Sequence, residues 1–379
     1  MSSRGNWEPI IDPASALGVR AHRVLEAITG NVLVAGRGPS GWSGRSFDAP
    51  LLLAYRALAE DSWSRMRVAA DALNSAIAGA DALYSTRRLE LFGGLSGLGW
   101  VIEHITRQSR RFEGSPPSGE DNGRRPSQAI DAALLLELQR GRWKGTYDLA
   151  TGLTGIGLYF LESLPAAGAR KGLELVFAHI EDAAQRTGAQ LFDGAYCGVA
   201  SGICGLVYLL SEVRTTGIEV SRSSGLLARC IDVLDVSCRR PSTSLSWSAG
   251  DLGIAAVCLQ KPPGAGSEQL YRLGASLLER CLELAPEAGL SGPSLLAGAA
   301  GTAHLWNRIW QAGGDFRCRA ASLQCWGKTI DLYDKSVPAT DVTATDFLRG
   351  EAGVGLALQA ALTTAAPDWD GILCARPRY

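Results

Sequence analysis

The sequence predicts an all-α protein whose helix hairpins repeat along the chain and close on themselves as an α/α toroid. Three observations predict this. Six segments share a pattern of glycine, two variable residues and glycine: GLSG from Gly94, GLTG from Gly152, GICG from Gly202, GDLG from Gly250, GAAG from Gly298 and GEAG from Gly350. Their first glycines are 58, 50, 48, 48 and 52 residues apart, a period that suits one helix hairpin. Each pair of glycines opens an apolar segment, amphipathic stretches with charges on one face lie between them, and almost nothing reads as a strand.

The elements follow in order. HRVLEAI supplies the first outer helix, and FDAPLLLAYRALAE is a degenerate first inner one, with Asp48 standing 46 residues ahead of Gly94. That brings the count to seven units. DSWSRMRVAADALNSAIAG, ARKGLELVFAHIEDAAQR and SEQLYRLGASLLERCLELA are outer, half-solvated helices, and CRAASLQCWGKTIDLYDK is the last of them. Glycine weakens a helix interior by roughly 1 kcal/mol relative to alanine, so glycines at the same end of every inner helix need a reason. N-termini that converge on an axis leave no room for side chains, which favours a closed ring over an open solenoid. RRFEGSPPSGEDNGRRPS, at residues 110–127, is a flexible loop within one period and not a boundary, so residues 1–379 read as a single domain.

Composition narrows the function. A formal charge of −1 provides no basic stripe for nucleic acid, and the longest uncharged run, AYCGVASGICGLVYLLS, is too short and too rich in small residues for a membrane span. The segment MSSRGNWEPIIDPAS lacks the apolar core of a signal peptide, so a cytoplasmic location is expected. Nine cysteines without a CxxC pair fit buried, reduced side chains better than a disulfide framework.

The ordered motifs FGGLSGLGW, YDLATGLTGIGLYFL, GVASGICGLVYLL, SWSAGDLGIAA, LLAGAAGTAHLW and FLRGEAGVGLAL together resemble those of the lanthionine synthetase C-like family, the thioether cyclases of lanthipeptide biosynthesis. The resemblance runs from about Phe47 to Leu358. It implies a double ring of seven inner and seven outer helices, with the active site at the glycine-rich ends of the inner ones. It implies a dehydrated precursor peptide as substrate, with a kinase or lyase that dehydrates it as a further partner. The departures are as informative. Ser201 stands where the family usually has histidine, and Ser248, Leu296 and Ala297 stand where its three zinc ligands would be. Leucine and alanine cannot bind zinc, so no metal and no other cofactor is expected.

The residue before each first glycine should face the mouth of the ring: Gly93, Thr151, Ser201, Ala249, Ala297 and Arg349. Arg349 either stabilises developing enolate charge or a substrate anion, or forms an ion pair with Glu351 or Asp148. Asp148, which matches the family's acidic position, acts as base or hydrogen-bonding orienter, or caps the following helix. Trp247 is a packing residue or a platform for substrate. Tyr196, Ser201, Ser248 and Glu351 complete the candidate substrate-facing set. Three readings result: a zinc-independent cyclase-like protein forming lanthionine or labionin rings, a non-catalytic peptide-binding scaffold, and an unrelated toroid glycosidase. The last would need two carboxylates at the mouth, drawn from Asp148, Asp251 and Glu351.

Overall fold

The computed structural model describes residues 7–36, 48–112, 125–187, 197–217, 220–260, 266–286, 288–335 and 346–376. In chain order its helices are α1 (Ala16–Gly36), α2 (Asp48–Ala59), α3 (Trp63–Ile77), α4 (Ala80–Ser85), α5 (Leu95–Ser109), α6 (Gln128–Gln139), α7 (Leu153–Glu162), α8 (Ala167–Thr187), α9 (Ile203–Thr215), α10 (Val220–Ser237), α11 (Asp251–Cys258), α12 (Ser267–Leu282), α13 (Ala299–Gly313), α14 (Phe316–Lys335) and α15 (Glu351–Leu362). A 3-10 helix, Asp368–Leu373, follows, and there is no strand among the described residues. The loop expected at 110–127 falls largely outside them.

Burial separates the helices into two rings. Every residue of α9 from Ile203 to Val213 is buried, whereas α12 buries only Leu270, Gly274, Leu277 and Cys281, a single stripe. The mostly buried helices α2, α5, α7, α9, α11, α13 and α15 each pack on the next, and α15 packs back on α2, so the inner ring closes. Seven outer helices, α1, α3, α6, α8, α10, α12 and α14, lie around it, and α4 is a short addition between α3 and α5. The seam is covered by α1, which touches α15, α14 and α2.

Close approach, and not left-handed backbone, accounts for the repeated glycines. The first glycines of the six pairs have φ between −88° and −124°, which any residue can adopt. The chain entering each inner helix instead folds back over its first turn. A Cβ at Gly301 would overlap the carbonyl oxygen of Leu295, and one at Gly353 that of Phe347. The side chain of Leu295 also packs on Gly353 of the following unit, as Leu149 does on Gly205. At Gly155, Gly205 and Gly353 the second glycine of the pair is therefore where one unit's loop and the neighbour's side chain both arrive.

The C-terminal halves of the inner helices are closed by the ends of the described chain. The Trp7 indole N–H donates to the Ala360 carbonyl at 2.7 Å, and Ile10 and Ile11 donate their N–H groups to Ala361. The 3-10 helix lies against α5 and α13: Gln108 and Arg111 reach Asp368, and His304 and Arg308 both bind Asp370. A second buried tie links three inner helices, with Tyr55 Oη 2.9 Å from His104 Nε2 and His104 Nδ1 2.9 Å from Glu162.

Candidate functional site

The glycine-rich ends meet in a rim built from backbone. From the third unit onward, the residue two before the first glycine hydrogen-bonds to its counterpart in the next unit: Ala150 N–H to Ala200 O, Ala200 N–H to Ser248 O, Ser248 N–H to Leu296 O and Leu296 N–H to Leu348 O. At the seam the Phe347 N–H donates to Asp48 at the start of α2. These bonds fix the residues just before the glycines at the mouth. Thr151, Ser201, Ala249 and Arg349 are exposed there, and Gly93 and Ala297 are partly so.

Beneath the rim the axis is filled. The residue three before each first glycine (Leu91, Leu149, Val199, Trp247, Leu295, Phe347) is buried. Phe92 stands edge-on to Trp247 at 5.9 Å and stacks on Phe347 at 6.1 Å, and Phe347 meets Trp369 edge-on at 5.8 Å. Units that are not neighbours in the ring can touch in this way only across its axis. Phe92, half-buried, thus floors the mouth with an apolar surface. The sequence reading missed it because the residue beside a glycine pair carries no pattern of its own.

The predicted residues are placed as follows. Asp148 is half-buried at the rim, where its carboxylate accepts the Thr151 N–H at 2.7 Å and the Thr151 hydroxyl at 3.1 Å. Asp346 repeats this turn, accepting the Arg349 N–H at 2.5 Å. It escaped notice, although it stands four residues before its glycine just as Asp148 does. The Arg349 guanidinium is exposed and forms no ion pair among the described residues. Glu351 instead accepts from Asn31 on α1 at 2.9 Å and from the Tyr333 hydroxyl on α14, and burial raises its carboxyl above the usual range. Trp247 is 1 % exposed, with its indole N–H donated to Leu373 O at 2.8 Å. Ser248 is half-buried in the backbone chain, Ser201 is exposed in the column, and Tyr196 lies outside the described residues.

The donor set at the rim does not fit zinc. Leu296 packs against the core and Ala297 offers only backbone, which leaves Ser248 as the one side-chain oxygen of the three positions. Among the described residues no three His, Cys, Asp or Glu side chains are grouped to hold a metal. The three carboxylates considered for a glycosidase are also dispersed: Asp148 is bound by Thr151, Asp251 is buried against Arg280 at 2.5 Å, and Glu351 faces the outer ring.

These features define an α/α toroid with the N-termini of its inner helices converging on one polar mouth. Among solved structures the chain is similar to one titled "Nisin cyclase", at a TM-score of 0.65 and 14% identity, covering 93% of this chain and 97% of that one. At that identity the likeness establishes the fold alone, an all-helical toroid like that of nisin cyclase. No family model matches the sequence, and no curated protein matches it.

Proposed function

We propose that the mouth binds a dehydrated peptide and promotes addition of a cysteine thiol to a dehydroalanine or dehydrobutyrine without zinc. The observation that carries this reading is the combination, at the glycine-rich mouth of a nisin-cyclase-like toroid, of an apolar floor at Phe92 with an exposed Arg349 on the rim that has no ion pair among the described residues. The reaction forms a C–S bond at the β-carbon, leaves an enolate, and ends with a proton on the α-carbon. A free thiol has a pKa of about 8.5, so ionising it at pH 7 costs about 2 kcal/mol, whereas correct positioning can contribute about 7 to 11 kcal/mol. Losing metal activation is therefore the smaller loss. The converging helix N-termini favour negative charge at the mouth, and Arg349 adds a full positive charge where enolate charge develops. Asp148, held in place by Thr151, orients the peptide thiol or accepts its proton. Glu351 enters only by supporting the first turn of α15 from the outer side.

The test is thiol alkylation, because ring closure leaves the peptide mass unchanged. With a dehydrated cognate peptide and no added zinc, free thiol should be consumed. Asp148→Asn and Arg349→Ala should slow this by roughly 10 to 1000 fold, with Ser201→Ala close to wild type. The engagement of Asp148 by Thr151 favours a second reading, a peptide-binding scaffold for a dehydrating kinase or lyase. Peptide that binds yet keeps its thiols alkylatable at the uncatalysed rate, with and without the dehydrating partner, would establish that reading instead.

A further inference from the structure

One position of the rim column is a glycine, and an arginine fills the space it leaves. Gly93 has a φ of +85°, which favours glycine, and a Cβ there would lie 2.8 Å from Nη2 of Arg88. The Arg88 guanidinium thus stands where other units of the column present their own side chains. Its main chain is held on both sides. Arg87, in the left-handed region at φ 55°, turns the chain after α4, the Arg88 N–H donates to Leu83 O at 2.9 Å, and the Arg88 carbonyl accepts from Leu95, the first residue of α5, at 2.8 Å. Glu90 accepts the Arg88 Nε–H at 2.9 Å. Both Nη groups are left without a hydrogen-bond partner among the described residues, on a side chain that is 39 % exposed.

A second guanidinium belongs to the segment across the seam. Phe92, next to Gly93, stacks on Phe347 with the ring planes 9° apart, and Arg349 follows Phe347 by two residues. Arg349 is fixed through its main chain, with its N–H on Asp346 and the carbonyl of the preceding Leu348 on the Leu296 N–H. One aromatic stack therefore joins the segments that carry Arg88 and Arg349, and half-buried Phe92 leaves an apolar surface beside both. The carboxylates of the rim do not serve as counter-ions. Asp148 and Asp346 turn an oxygen to the N–H groups of Thr151 and Arg349, and neither forms an ion pair with either arginine among the described residues.

A guanidinium presents its N–H donors in a planar fork that matches the two oxygens of a carboxylate, and positive charge in a cleft with an apolar wall draws anions in. We propose that Arg88 and Arg349 clamp a carboxylate of the bound peptide at the mouth, while Phe92 receives the apolar side chain next to it. The carboxylate is supplied by a glutamate or aspartate side chain or by the C-terminus of the peptide, which offer the same pair of oxygens. This inference rests on the reading of the mouth as a peptide site and adds a substrate class to it: peptides with a carboxylate beside an apolar residue. A neutral peptide keeps the apolar floor and loses the clamp.

The probes are three short N-acetylated peptides that contain no cysteine and no dehydro residue and so cannot react. Each carries one phenylalanine. In the first it precedes a glutamate and the C-terminus is amidated; in the second it is the last residue and its carboxylate is free; in the third it precedes a glutamine and the C-terminus is amidated. In titrations followed by saturation-transfer NMR at low salt, one or both carboxylate peptides should bind about 3 to 10 fold more tightly than the neutral one, and the comparison identifies the source of the carboxylate. Arg88→Gln and Arg349→Gln should each remove most of that advantage, as should added salt, with the neutral peptide unaffected. Equal binding of all three to the wild type, or an advantage that survives in either variant, would overturn the clamp and leave the peptide reading in place. If none of the three binds, the peptide reading falls and the clamp falls with it. Because no thiol takes part, failure of the addition reaction leaves the result intact, and Arg349→Gln, which alters an exposed side chain, decides the matter even if Arg88→Gln does not fold.

Discussion

A single methyl group is the sharpest probe of the glycines. Gly301 faces the Leu295 carbonyl at a distance no Cβ tolerates, and the neighbour that would have to move is backbone. Gly327, within α14, has nothing within 4 Å of the position its Cβ would occupy. Gly301→Ala should therefore lose about 2 to 3 kcal/mol by overpacking, while Gly327→Ala should gain about 0.5 to 1 kcal/mol from helix propensity. Denaturant midpoints of the two variants decide this, and a neutral Gly301→Ala would show that the loop over α13 can move. The repeat itself was legible because the same contact recurs at Gly155, Gly205, Gly253, Gly301 and Gly353 and leaves the same residue behind. Asp148 was singled out by a different signal, the match of YDLATG to the acidic position of the family it resembles, whereas Asp346 needed the turn to be seen twice before its equivalence emerged. Nothing in the sequence announced that Glu351 would turn to Asn31 and Tyr333, because the choice between rim and outer ring is made by packing.

Among the elements, the least legible is the 3-10 helix after α15. Its role depends on contacts with distant helices and not on any period, and the motifs that carried the family resemblance stop at Leu358. It brings Asp370, fully buried, between His304 and Arg308, and stacks Trp369 on His304 at 4.9 Å. The other buried histidine, His104, stacks on Trp100 at 4.5 Å and lies between Tyr55 and Glu162. Burial lowers both imidazoles below the usual value, outweighing the opposing pull of Asp370 and Glu162. The geometry agrees for His304: Nε2 faces Asp370 while Nδ1 has no partner, which suits a bare lone pair and would strand a proton. A group that is neutral when folded and protonates near pH 6.5 when unfolded contributes its stability in full above that pH. The contribution is lost as pH falls from about 6.5 through the lowered folded values. Glu351 and Asp131, raised by burial, act with the opposite sign. Stability should thus decline below about pH 6.5, and the slope should shrink in His104→Gln, whose amide can replace both hydrogen bonds. Stability that rose as the pH fell from 8 to 5.5 would mean that both histidines are held as imidazolium, and a flat profile that they titrate alike in the folded and unfolded chain.

At the scale of the whole molecule, a ring of seven units must join its first to its last, and two kinds of contact make the join. One is electrostatic: Arg20 on α1 reaches Asp331 and Asp334 on α14, and Arg23 also meets Asp334, all at the surface. The other is apolar: Trp7, Ile10 and Ile11 are buried, the three hold α15 through the Ala360 and Ala361 carbonyls, and Arg308 lies over the Trp7 ring at 4.8 Å. Exposed ion pairs are weakened by water and salt, whereas removing a large buried aromatic side chain costs about 3 to 5 kcal/mol. The apolar clamp should therefore dominate the closure. Trp7→Ala is expected to lower unfolding stability by about that amount, and because every inner helix leans on two others, the loss should appear as a shift of one transition. Asp334→Ala should leave the midpoint within error, and adding salt should erase any difference that remains. If Asp334→Ala shifted the midpoint as far as Trp7→Ala, the charges would be holding the ring shut. If Trp7→Ala instead produced two transitions, the first and last units would be opening before the rest of the toroid.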